Sequence, residues 1–231
     1  MQKNRVLHML SYGFRIETAF IAQQCSLHIG HNREKNMGLS KKITGFEVEH
    51  MQNIAFRLMS FVFVIRDMLF PVGKKIDQFG IDKGFSVVDF GCGPGSYIEY
   101  ASQLAGEGGK VFAVDVHPLA IKAVKERIAR KDLKNVFPVL SRGYPVDIES
   151  HSADIIYALD MFHHIKDTRN FFKELHRLLK QNGTLFLESG HQGLDSARQK
   201  IVQSDSWIIT AETRNMFTCV PKEREIMKNA S

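Results

Sequence analysis

Apolar positions along the 231-residue chain follow a helical period first and a strand pattern later. From Glu47 to Leu69 they recur every three or four residues, which predicts a long amphipathic helix. The helix is expected to end before Pro71, because the residue preceding a proline disfavours helical backbone. A second, short helix is predicted from Val72 to Phe79, with Gly80 as its C-terminal cap.

Beyond residue 81 short apolar runs alternate with helical patterns. Strands are predicted at Phe85–Phe90, Lys110–Asp115, Asn135–Leu140, Asp154–Leu159, Thr184–Glu188, Trp207–Glu212 and Met216–Val220. Helices are predicted at Gly95–Ala105, Pro118–Arg130, Thr168–Lys180 and Ser196–Gln203, the third closed by Asn182 and Gly183. Only three residues separate the last two strands, so these must be antiparallel. The pattern predicts an α/β fold: a doubly wound, mostly parallel seven-stranded sheet over residues 81–221 with an antiparallel C-terminal hairpin. Residues 222–231 are expected to form a tail.

Charge is distributed unevenly, and this bears on binding partners. Residues 1–45 carry seven Lys or Arg and two Asp or Glu, whereas residues 46–231 carry 24 and 23. The basic excess therefore lies in the N-terminal extension rather than in the α/β region, which argues against a nucleic-acid partner. No apolar period links residues 1–36 to the rest of the chain. We expect a chain beginning at Met37 to fold equally well.

The remaining composition excludes several classes of protein. Apolar and charged fractions of 44% and 24% are those of an ordinary globular domain. No apolar run reaches the roughly 18 residues that a bilayer span needs, although peripheral contact with a membrane stays open. The three cysteines, Cys25, Cys92 and Cys219, have neither an even count nor metal-ligand spacing. We therefore expect no metal site, no disulfide framework and a reducing, cytoplasmic location.

The segment from Val87 to Ser96 carries the clearest chemistry. An apolar strand leads to Asp89, then to the glycines 91, 93 and 95, and then to a predicted helix. Loops of this kind let the backbone approach a ligand at the carboxyl ends of parallel strands. Asp115 ends the next strand about 20 residues later, where a carboxylate can accept hydrogen bonds from a ribose diol.

The spacing of this loop separates two classes of cofactor. Dinucleotide-binding loops have the pattern G-x-G-x-x-G, but the third glycine position of that pattern is Ser96 here. An acid at position 89 would also lie awkwardly beside a pyrophosphate, whereas it suits a ligand that carries an ammonium group. These features favour S-adenosylmethionine (SAM) over NAD or FAD.

This segment resembles the first motif of the class I SAM-dependent methyltransferases, and the likeness extends over about Phe85 to Val220. The stretch from Ala153 to Ile165 looks like the family's fourth strand and the loop after it, and Leu178–Leu187 resembles its fifth-strand motif. The His163-His164 pair is closest to the type 11/25-like branch that includes ubiquinone and menaquinone C-methyltransferases. The resemblance implies a Rossmann-like fold and SAM as cofactor. We expect the helices of residues 46–80 to lie over the cofactor cleft as an apolar lid, which favours a small or apolar acceptor.

The resemblance also implies roles for individual residues. The cofactor-binding set it implies is Asp89, Gly91, Cys92, Gly93, Gly95, Asp115, Val116, Ser141 and Asp160. The sequence departs from the family after the third strand, where Ser141-Arg142-Gly143 replaces the usual polar acid, so Ser141 or a backbone group would contact adenine. Candidate catalytic groups are His163, His164 and Glu188, and His191 lies beyond the same strand as Glu188. A structural role for each of these four stays open.

The function this predicts is methyl transfer from SAM to a small, apolar metabolite by in-line displacement. Three alternatives remain: a non-catalytic SAM-binding partner subunit, an RNA methyltransferase and a protein methyltransferase. The oligomeric state and the accepting atom are not determined by the sequence.

Overall fold

The computed structural model describes residues 75–222, and these form a seven-stranded sheet covered by helices on both faces. The strands are β1 Ser86–Phe90, β2 Lys110–Asp115, β3 Val136–Leu140, β4 Ala153–Ala158, β5 Leu179–Glu188, β6 Trp207–Glu212 and β7 Met216–Pro221. The helices are α1 Ile98–Ala105, α2 Pro118–Lys131, α3 Thr168–Leu178 and α4 Leu194–Gln203. Short 3-10 turns occupy Asp77–Phe79 and Phe162–His164. The predicted helix from Glu47 to Leu69, most of the lid and the N-terminal extension lie outside the described residues.

The strand order is β3-β2-β1-β4-β5-β7-β6. The first five strands are parallel, and β7 pairs antiparallel with both β5 and β6. This confirms the predicted doubly wound sheet and its antiparallel C-terminal hairpin. The order reverses between β1 and β4, so the loops after these two strands open on the crevice where such sheets bind ligands.

Alternation along β1 places the core on both faces of the sheet. Val87 packs in one apolar cluster with Ile98 of α1, whereas Val88 packs in the other with Phe171 and Leu175 of α3. All of these side chains are fully buried. Each contributes roughly 1.5–3 kcal/mol of burial free energy, so β1 is held by apolar packing on both faces of the sheet. The loop after β1 therefore starts from a rigid strand.

The junction of α3 and β5 differs from the prediction. Helix α3 ends at Leu178, and Asn182 and Gly183 belong to β5 rather than closing the helix. The pairing of β5 with β4 is irregular between Ala153 and Ile155. A Cβ at residue 183 would lie 2.7 Å from Cγ of the buried Leu179, so this glycine serves close packing rather than helix termination.

The second difference concerns α1, which starts at Ile98, three residues later than predicted. The intervening residues form turns that complete the glycine loop. In the described part of the short helix predicted at Val72–Phe79, the structure has the 3-10 turn at Asp77–Phe79, and Gly80 caps it with φ of 64° as expected. The other helix and strand boundaries agree with the predictions within about two residues.

Among residues 75–222, no helix is both long enough and apolar enough to cross a membrane.

Candidate functional site

The glycine loop after β1 forms the floor of the crevice. Both Gly91 N and Cys92 N donate to the carbonyl oxygen of Val114, which ties the loop to the end of β2. Gly93 N donates to Oδ2 of Asp115 at 2.9 Å. The loop is therefore fixed by β2 through both backbone and side chain.

Glycine is required at positions 93 and 95 of the loop for two different physical reasons. Gly93 has φ of +52°, and no atom lies within 4 Å of the Cβ position, so its backbone faces open space. Gly95 has φ of +79°, and a Cβ there would lie 2.8 Å from Cδ1 of Ile98 and 3.1 Å from Cγ2 of Val124. Gly93 leaves room for a ligand, whereas Gly95 lets the loop pack against α1 and α2.

Asp89 is the most unusual acid of the site. Its side chain is 2% exposed, and its Oδ2 has no hydrogen-bond partner among the described residues. Burial is the main cause that raises the pKa of Asp89 to about 8; within this net shift the Tyr157 hydroxyl acts to lower the pKa, and the Asp115 carboxylate acts to raise it. A buried acid with an unused oxygen is a group that a cationic ligand can satisfy.

Asp115 ends β2 as predicted and already accepts two backbone hydrogen bonds. Gly93 N donates to one carboxylate oxygen, and His117 N donates to the other at 2.7 Å. Burial raises the pKa of Asp115, and these backbone donors oppose the shift. Each oxygen keeps a second lone pair, so the carboxylate can also accept from a diol.

The other predicted cofactor residues lie around the same crevice. Cys92 is buried in the loop, and burial together with the Asp89 and Asp115 charges raises the pKa of its thiol well above the usual range. This thiol is therefore no nucleophile. The Ser141 hydroxyl donates to the carbonyl of Gly143 at 3.1 Å and so closes its own turn. Val116 is half-buried directly after β2.

Asp160 and the histidine pair lie on the loop after β4. Asp160 has φ of 55°, and its backbone N–H donates to Oε2 of Glu188 at 3.1 Å. Met161 lies under the glycine loop, since a Cβ at Gly91 would meet its Cγ at 2.8 Å. The rings of His163 and His164 are 3.9 Å apart. The loop after β4 thus joins the glycine loop to the end of β5.

His163 is an unfavourable base. Burial, together with the neighbouring His164, His191 and Lys200, lowers the pKa of His163 to about 3. A group with so low a pKa has little driving force to take a proton near neutral pH.

Glu188 is the centre of a polar network. It is 5% exposed, and Lys75 Nζ donates to both of its carboxylate oxygens at 2.8 and 2.7 Å. Asn215 Nδ2 donates to Oε1 at 2.7 Å, in addition to the Asp160 backbone donor. Sequence reasoning missed Lys75 and Asn215, because no spacing rule connects residues 75, 188 and 215. These contacts favour a positioning role for Glu188.

Comparison with known proteins shows what this part of the chain is similar to. Residues 88–187 match the family model described as a methyltransferase domain. Between β1 and β5, over less than half of its length, the chain therefore resembles the methyltransferases. A SAM-dependent methyltransferase from Aquifex aeolicus has the same fold, with a TM-score of 0.56 at 24% identity over 64% of this chain and 87% of that chain.

Curated relatives match over shorter stretches. The ubiquinone biosynthesis O-methyltransferase of Pelagibacter ubique is 29% identical over 114 residues, 49% of this chain and 45% of its own length. The ribosomal RNA large subunit methyltransferase E of Bdellovibrio bacteriovorus is 40% identical over 65 residues, 27% of this chain and 33% of its own length. The chain thus spans less than half the length of either relative. The methyltransferase domain is shared, and the acceptors named for these relatives differ.

Proposed function

We propose that the protein transfers a methyl group from SAM to a small, apolar acceptor. The observation that carries this proposal is the buried Asp89, whose unpartnered carboxylate oxygen precedes a glycine loop that leaves open space at Gly93. The amino-acid part of SAM carries the ammonium group that such an acid can satisfy.

The residues of the crevice fit SAM part by part. Asp89 would hold the ammonium, Gly93 would give the ligand room, and Asp115 would accept from the ribose hydroxyls. Ser141 is the weaker candidate for adenine, because its hydroxyl is already used within its own turn. The chemistry that bound SAM supplies is a methyl group activated by a sulfonium.

Positioning and exclusion of water are the main tasks left to the chain. His163 is too weak a base to deprotonate an acceptor, and Glu188 is held by three donor groups. Neither the low pKa of His163 nor the hydrogen bonds of Glu188 bears on His164, the third predicted catalytic group. The acceptor is therefore expected to bring its own nucleophilic lone pair, correctly oriented in the crevice.

Calorimetry on the full chain tests the cofactor. S-adenosylhomocysteine and SAM should bind, and NAD and FAD should not. Asp115→Ala should weaken SAM binding by about ten- to a hundredfold, because charge-assisted hydrogen bonds to the ribose are lost. Asp195→Ala, at an exposed residue of α4, is the matched control and should bind normally. NAD binding as tight as that of SAM would overturn the proposal.

A second candidate function, RNA methylation, is favoured by the match to the ribosomal RNA enzyme. The near-neutral balance of residues 46–231 argues against it. A methyl-transfer assay with labelled SAM, using phenolic and quinone-type rings beside a ribosomal RNA fragment, distinguishes the two. If SAM binds and no acceptor is methylated, the non-catalytic partner-subunit alternative gains, and affinity capture of a protein partner is the next experiment.

A further inference from the structure

The strongest unassigned feature is a cluster of metal-ligating side chains at the ends of β4 and β5. Asp160 and His163 lie on the loop after β4, and His191 lies on the loop after β5. One donor atom from each residue lies within 4.8 Å of the other two. Two imidazoles and one carboxylate on converging loops form a donor set suited to a divalent first-row transition-metal ion.

The backbone around the cluster is shaped to bring the rings together. Gly190 has φ of +65°, and a Cβ there would lie 2.2 Å from Nδ1 of His163. Any other residue at position 190 would push His163 away from the chain that leads into His191, whose ring centroid lies 4.8 Å from that of His163. The glycine thus permits the approach of the two imidazoles.

An unused polar atom marks the same place. His163 Nδ1 is buried and has no hydrogen-bond partner among the described residues. A buried polar atom without a partner costs free energy that a ligand can recover. The unpartnered ring nitrogen on the loop after β4 is a second observation, beside the clustering of the three side chains, that favours a ligand here.

The geometry requires only a small adjustment to close on an ion. Metal–ligand bonds of about 2.0–2.2 Å place neighbouring donor atoms roughly 3–3.5 Å apart. His191 Nε2 and Asp160 Oδ1 are 3.8 Å apart, and both side chains are about half exposed, so they can rotate. Lys200 opposes a cation here, but its Nζ donates to Oε1 of Gln192 at 2.8 Å and lies over the Phe162 ring.

We propose that Asp160, His163 and His191 bind a divalent transition-metal ion and leave coordination positions open toward the crevice. Met161 connects this cluster directly to the glycine loop, so the open positions lie beside the cofactor region. An acceptor with oxygen donors would bind the ion there and be held for methylation. Metal binding stands independently, whereas this role in acceptor binding rests on the proposed function.

Titration of the full chain with Co²⁺ tests the site, because visible absorption bands report the coordination of this ion and calorimetry reports its affinity. Wild-type protein should bind one Co²⁺ at the cluster. His191→Asn and Asp160→Asn should each weaken this binding about tenfold or more. Both substitutions keep a polar side chain at an exposed position, and asparagine tolerates the positive φ of residue 160.

The control is His151→Asn, which removes an imidazole at another positive-φ residue, before the start of β4 rather than after its end. It should leave Co²⁺ binding unchanged. Binding that is absent at millimolar Co²⁺, or equally affected by His151→Asn, would overturn the metal site. The variants His191→Asn and His151→Asn are also titrated with S-adenosylhomocysteine, whose affinity should stay at the wild-type value. Failure of the wild-type protein to bind S-adenosylhomocysteine would instead count against the proposed function, so the two failures are distinguishable.

Discussion

Asp89 shows how one buried side chain can couple ligand binding to pH. Its pKa of about 8 lies far above the ordinary 3.8, so the free protein keeps this carboxyl protonated at neutral pH. Because the raised pKa favours the protonated form, the contribution of Asp89 to stability is fully present below about pH 4. It is lost as the pH rises through 8.

We predict that SAM binding expels the Asp89 proton. An ammonium next to the carboxylate lowers its pKa, so SAM affinity should rise with pH from 6 to 8, by at most about tenfold per pH unit. Calorimetry in buffers of different ionisation enthalpy measures the released proton. The variant Asp89→Asn should bind SAM more weakly and show neither the proton release nor this slope. An identical slope in both proteins would assign the titration to another group.

The residue scale is also where sequence reasoning was most limited. The motif predicted that Asp89 and Asp115 lie at adjoining strand ends, and the structure places both there. It could not predict that Asp115 also holds Gly93 N, or that Tyr157 faces Asp89, since these contacts depend on side-chain packing across strands. Likewise, the Asp160–His163–His191 cluster arises from two loops that β4 and β5 bring together, and no local spacing signals it.

Helices and strands could be predicted where the hydrophobic period and the flanking turn residues agreed. β2 runs from Lys110 to Asp115 as predicted, because a glycine turn precedes it and the valine-rich run is buried. The junction of α3 and β5 was predicted wrongly, because the strand follows the helix directly at Leu178–Leu179, with no turn between them. Gly183 suggested a helix end only because glycine is common there. In the structure a glycine is required at this position because a Cβ would lie too close to the Leu179 side chain.

The two glycines of the loop should respond differently to alanine. Gly95→Ala should lower the free energy of unfolding by about 1–2 kcal/mol for its positive φ and by about 1–3 kcal/mol more for overpacking against Ile98 and Val124. Gly93→Ala should cost only the first of these amounts, yet weaken SAM binding, because its methyl group would enter the open space of the crevice. Urea unfolding and calorimetry measure the two effects separately.

Gly80→Ala is the matched control, with φ of +64° and no atom within 4 Å of the Cβ position. It should match Gly93→Ala in stability and wild type in SAM affinity. If Gly93→Ala binds SAM normally as well, the open space at that glycine is not part of the cofactor site.

On the scale of the whole molecule, Glu188 joins segments that are far apart in the chain. Lys75 precedes β1, Asp160 lies after β4, and Asn215 precedes β7, yet all three donate to this one buried carboxylate. The sheet order explains the convergence, since β5 lies between β4 and β7. The network therefore connects these three segments to the carboxyl end of β5 through side chains.

Variants of the Glu188–Lys75 ion pair can separate positioning from catalysis at Glu188. Glu188→Gln keeps the size and one acceptor but loses the ion pair, so the free energy of unfolding should fall by about 1–3 kcal/mol. Lys75→Gln removes the same pair from the other side. The double variant should then show a coupling of about 1–2 kcal/mol between the two residues. The exposed pair Lys222–Asp205 is the control cycle and should give less than about 1 kcal/mol.

If Glu188 only positions the β4 loop, Lys75→Gln should reduce turnover about as much as Glu188→Gln, with SAM affinity retained in both. Loss of turnover in Glu188→Gln with normal turnover in Lys75→Gln would contradict a positioning role that acts through this ion pair.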